Sequence, residues 1–89
     1  MNIEWTDETM LEFVKERNAA LLSMDRVTIT AYFRKWNEPD DVARFEQLSE
    51  RGFWAGVHKA RLNAASLPQA ERVKSQLWLR ENGFTENAR

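Results

Sequence analysis

"VTITAYFRKW", residues 27–36, is the stretch on which the fold class turns. Its opening is β-branched at Val27, Thr28, Ile29 and Thr30, and such side chains suit a pleated strand. Read further, Ile29, Tyr32, Phe33 and Trp36 recur at three- and four-residue spacing, the period of a helix face. Arg34 and Lys35 point away from that face. No other run in the chain offers itself as a partner strand. The stretch is therefore expected to be helical, and the protein all-α.

Working outward, "SMD" (23–25) reads as a helix break and restart, with Ser23 or Asp25 as the next cap. Upstream, Asp7 is the expected cap of a first helix, and Trp5 is placed to staple onto Met10 or Leu11. Met10, Leu11, Val14, Leu21 and Leu22 share one face of that helix, with Phe13 at its edge. Downstream, "NEPDD" (37–41) is a turn and a helix start, with Pro39 in the first turn and Asp40 and Asp41 complementing the dipole.

Residues 40–63 admit two readings. One is a single helix that tolerates Gly52 and Gly56; the other ends a helix at Gly52 and starts another at Phe53. The break is favoured. "SLPQAERVKSQLWLRENGF" (66–84) then gives a capping box from Ser66 to Gln69, a stripe of Ala70, Val73, Leu77 and Trp78, and a stop at Gly83. The expectation is a compact bundle of four to five short helices in a single domain, 1–89. Residues 1–6 form a lead-in and 85–89 a frayed tail.

Composition narrows the chemistry. There is no cysteine, which excludes a disulfide framework and thiolate metal sites. The acidic start "MNIEWTDETM" is unlike a secretory signal, and no apolar run approaches the roughly 20 residues of a membrane span. A cytoplasmic protein is expected. Net charge is −1, yet residues 1–48 hold six basic and ten acidic side chains, while residues 49–89 hold seven basic and four acidic. That asymmetry leaves a basic C-terminal half.

His58 is the sole histidine, set between Trp54 and Leu62 at four-residue spacing. A general base needs a positioned nucleophile or acid, and the sequence points to none, so His58 is expected to be structural. Gly56 is expected to admit a close backbone approach beside it. One histidine without cysteine leaves only carboxylates for a metal, and "EPDD" (38–41) lacks calcium-loop spacing. The three glycines are isolated, so no phosphate-cradling loop is present. No catalytic, cofactor-binding or metal-ligating residue is assigned.

Two surfaces remain. Four tryptophans are many for 89 residues, and aromatic anchors dominate protein interfaces; Trp36, Trp54 and Trp78 are the candidate contacts. Lys59, Arg61, Arg72 and Lys74 would form a basic face if the last two helices pack side by side, giving salt-dependent nucleic-acid binding.

Several stretches carry a resemblance: "ERNAALLSMD" (16–25), "AYFRKW" (31–36), "FWAGVHKARL" (53–62), "SLP" (66–68) and "KSQLWLRENGF" (74–84). In this order they resemble small uncharacterised phage- and prophage-encoded proteins of Gram-positive bacteria. The resemblance implies a small cytoplasmic protein of a mobile element and brings no catalytic residues with it. The function expected is protein–protein contact, homodimerisation included, without catalysis. The alternative is a weak nucleic-acid-binding accessory or regulatory protein.

Overall fold

A threonine hydroxyl starts the first helix. In the computed structural model, which describes residues 4–84, Thr6 lies in extended backbone and its Oγ1 accepts the Thr9 amide at 3.1 Å. It opens α1 (Asp7–Ser23), with Asp7 and Glu8 in the first turn, where the helix dipole favours negative charge. The cap thus falls one residue before the expected Asp7. At the far end Ser23 Oγ donates to the Ala20 carbonyl at 2.6 Å and accepts the Asp25 amide at 3.2 Å.

Asp25 caps α2 (Arg26–Trp36), its carboxylate accepting the Thr28 amide at 3.0 Å and the Thr28 hydroxyl at 2.6 Å. The β-branched opening of this stretch is therefore a capped first helical turn, not a strand. Pro39 begins α3 (Pro39–Glu46) at a position where its missing N–H is no loss. With α4 (Glu50–Asn63) and α5 (Gln69–Glu81), the described residues form five helices and no strand, an all-α protein. None of these helices is long and apolar enough to cross a membrane.

The chain divides into two compact units, Met1–Gln47 and Leu48–Arg89. The first holds α1, α2 and α3 and is organised by rings. Phe13 meets Trp5 and Trp36 edge-on, at 5.6 and 5.3 Å, and Tyr32 at 5.9 Å. Phe33 stacks on Phe45 at 4.2 Å, joining α2 to α3. Ile29, Tyr32, Phe33 and Trp36 face inward as the spacing requires. On α1 the expected stripe is displaced: Phe13, placed at its edge, sits at the centre of the ring cluster, while Met10, Leu11 and Leu22 are exposed. Trp5 accordingly packs on Phe13. Ring against ring buries more surface than a methionine or leucine staple would.

The break within residues 40–63 exists, but it precedes Gly52. Ser49 caps α4 by accepting the Gly52 amide on Oγ at 3.0 Å, which puts Gly52 in the first turn. Nothing lies within 4 Å of where a Gly56 Cβ would stand, so no backbone approaches there. In α5 the cap position falls to Pro68, not Ser66, and no side chain caps the helix. Its end is as expected: Gly83 takes φ +84°, the Phe84 amide donates to the Leu79 carbonyl at 2.7 Å, and the Gly83 amide donates to that of Arg80.

The inward face of α5 also differs from expectation. Ser75 and Leu79 are 0% exposed, whereas Val73 and Leu77 are 42% and 46% exposed. Leu79→Ala should therefore cost about 2–5 kcal/mol in urea unfolding. Leu77→Ala should stay within about 0.5 kcal/mol of the parent.

Candidate functional site

The residues that bear chemistry gather between α4 and α5. On α4, Trp54, Val57, His58 and Arg61 follow at three- and four-residue spacing and turn toward α5, while Ala60 is exposed. On α5, Glu71, Ser75, Trp78 and Leu79 answer them. The Arg61 side chain is 2% exposed, an unusual place for a charge. Its Nε donates to Ser75 Oγ at 2.6 Å, and its Nη2 donates to the Glu71 carboxylate at 2.8 Å and to the Glu71 carbonyl at 3.1 Å. The other Glu71 oxygen accepts Lys74 Nζ at 3.0 Å. Hydrogen bonds from Arg61 first, then Lys74, hold the Glu71 carboxyl below the usual carboxylate range.

Ser75 Oγ lies 2.9 Å from His58 Nδ1. Arginine has no acceptor, so the serine oxygen must accept from Arg61 and can turn its own proton toward the imidazole. With the ring proton on Nε2, Nδ1 accepts that hydroxyl proton. Burial, reinforced by the Arg61 charge, holds the His58 pKa down at about 4, so the ring is neutral through ordinary pH. It stacks on Trp78 at 4.4 Å, and Trp78 stacks in turn on Phe84 at 6.1 Å. Arg51 lies over the Phe84 ring at 4.4 Å and donates to the Asn82 carbonyl at 2.6 Å.

A hydroxyl beside an imidazole invites a nucleophilic reading, but the geometry is that of a clamp. Ser75 is fully buried, its oxygen is held by Arg61, and the Glu71 carboxylate is paired with Arg61 and Lys74, not with His58. A substrate would need to enter between two packed helices to reach it. Among the described residues, no group of three or more His, Cys, Asp or Glu is placed to hold a metal ion.

The expected contact residues are placed as follows. Trp36, Trp54 and Trp78 are all half-buried. Trp36 Nε1 donates to Glu16 at 3.1 Å and Trp54 Nε1 to Glu50 at 2.8 Å. Trp54 and Trp78 both neighbour His58, whereas Trp36 belongs to the first unit. Of the basic set, Lys59 and Lys74 are exposed and Arg72 is half-buried, its Nε buried without a partner. Arg61 is withdrawn into the α4–α5 clamp and offers no phosphate contact. Arg72 and Lys74, two positions apart on one helix, leave it in directions about 160° apart. Ser75 and Glu71 were absent from the sequence-based candidates; their signal is the 71, 75, 78, 79, 82 stripe, masked by the more apolar 70, 73, 77 one.

No family model, curated protein or solved structure matches this chain.

Ser75→Ala, which strands both Arg61 Nε and His58 Nδ1, should destabilise the protein by about 1–3 kcal/mol in urea unfolding. The folded imidazole refuses a proton that the unfolded one accepts. Its contribution is thus complete above about 6.5 and is lost as pH falls from about 6.5 to about 4. Glu71 acts in the same direction at lower pH, its contribution disappearing as pH falls through its lowered folded value. NMR titration should show the His58 ring unprotonated until about pH 4; protonation near 6.5 would contradict the clamp.

Proposed function

We propose that this chain is a non-catalytic helical protein of the phage or prophage type, acting by contact with another protein, a second copy included. The supporting observation is the aliphatic surface of the first unit. Leu11 is 67% and Val27 77% exposed, and Leu22 and Met24 are exposed at the α1–α2 corner. Leu22, Met24 and Val27 follow one another closely along the chain, and large apolar side chains gathered in water mark contact surfaces. The tryptophans put forward from the sequence are half-buried and largely tied to neighbours within their own units, so the aliphatic set is the better anchor.

The lack of an accessible nucleophile beside the sole imidazole favours binding over catalysis. The mobile-element setting rests on the resemblance alone, an association and not a physical warrant. Nucleic-acid binding is less favoured, because Arg61 is buried on Glu71 and Lys74 is paired with the same carboxylate.

Light scattering, retention of partners from a Gram-positive lysate, and titration with duplex and single-stranded DNA at low salt test this together. Self-association or specific retention, weakened about tenfold by Val27→Glu (about 1.4 kcal/mol), is expected. A strict monomer that retains nothing overturns the proposal. Salt-sensitive DNA binding by such a monomer would support the alternative instead.

A further inference from the structure

The outer side of α1 has a pattern of its own. Glu8, Leu11, Lys15 and Leu22 are all exposed and fall along one line of the helix at spacings of three, four and seven. Glu8, Leu11, Glu12, Lys15 and Glu16 border a shallow groove on this side. Charge is segregated along the helix. Asp7, Glu8 and Glu12 occupy its first half, and Lys15 and Arg17 its second. Glu12 and Glu16 are already engaged: Lys35 lies 3.7 Å from Glu12, and Glu16 accepts from Lys35 at 2.7 Å and from Trp36 at 3.1 Å.

Resting on the interaction reading above, we propose that the partner of this face is a second copy of the chain, its α1 running antiparallel across a two-fold axis near Leu11. Glu8 and Lys15 stand about one turn to either side of Leu11. A two-fold axis there lays Glu8 of each copy against Lys15 of the other, and the two Leu11 side chains meet at the centre. The same patch serves both copies, as an isologous interface requires. Parallel pairing would instead set the acidic first turns against each other. The charges choose orientation, and Leu11 supplies the dry contact. One helix pair is a small interface, so the dimer is weak and concentration-dependent.

Sedimentation velocity on the full chain, from low to high micromolar concentration, tests the proposal. A reversible dimer is expected. Leu11→Glu abolishes it, with the circular dichroism spectrum unchanged because Leu11 is exposed. Glu8→Lys and Lys15→Glu each weaken it, and the double reversal restores it. The chain has no cysteine, so Leu11→Cys alone should yield a disulfide-linked dimer on oxidation. A monomer at every concentration overturns the inference, as does a dimer indifferent to Leu11→Glu. If that monomer still retains a lysate protein through Val27, the interaction reading survives; if it retains nothing, both fail.

Discussion

A guanidinium taken out of water sets the terms for the second unit. Arg61 carries a charge that its buried position cannot tolerate alone, so every neighbour must be arranged around it. Glu71 supplies the opposite charge through one carboxylate oxygen and a further acceptor through its backbone. Ser75 accepts the Nε proton and keeps its own proton to give. The neutral His58 imidazole, with Nδ1 2.9 Å away, is placed to receive it. A slip of α5 along α4 by one residue would leave the guanidinium unpaired. A buried pair of this kind adds little net stability over an apolar pair, yet removing one partner is costly.

The two units solve the problem of a small core differently. In the first, rings meet rings: Phe13 is central to Trp5, Tyr32 and Trp36, and Phe33 closes on Phe45. In the second, the aromatic series Trp54, His58, Trp78 and Phe84 runs beside the polar clamp and ends at the glycine turn after α5. The tryptophans that looked available for a partner are thereby absorbed. Among the described residues, the large apolar side chains left exposed are, Trp5 apart, not aromatic.

The helical class was legible because Ile29, Tyr32, Phe33 and Trp36 keep their period despite the β-branched residues before them. Asp25, Pro39 and Gly83 were legible for the same reason: each has a chemical property that fits only one place in a helix. The helix phases were less so. Ala70, Val73 and Leu77 look more apolar than Glu71, Ser75 and Leu79, and hydropathy has no means of knowing that Arg61 will require a carboxylate and a hydroxyl inside. Likewise Gly52 resembled a stop signal, whereas the Ser49 hydroxyl recruits its amide to begin a helix. Burial of paired polar groups depends on the other helix, and that information is not local.

Gly56 has a separate meaning. It lies in the body of α4, exposed, in ordinary helical backbone, and with nothing near the place a methyl group would occupy. Neither a turn nor a close crossing calls for glycine there, and the residue lowers helix propensity by about 1 kcal/mol relative to alanine. The sequence thus stops short of the stability this backbone permits, as expected of a chain held just above the threshold it needs.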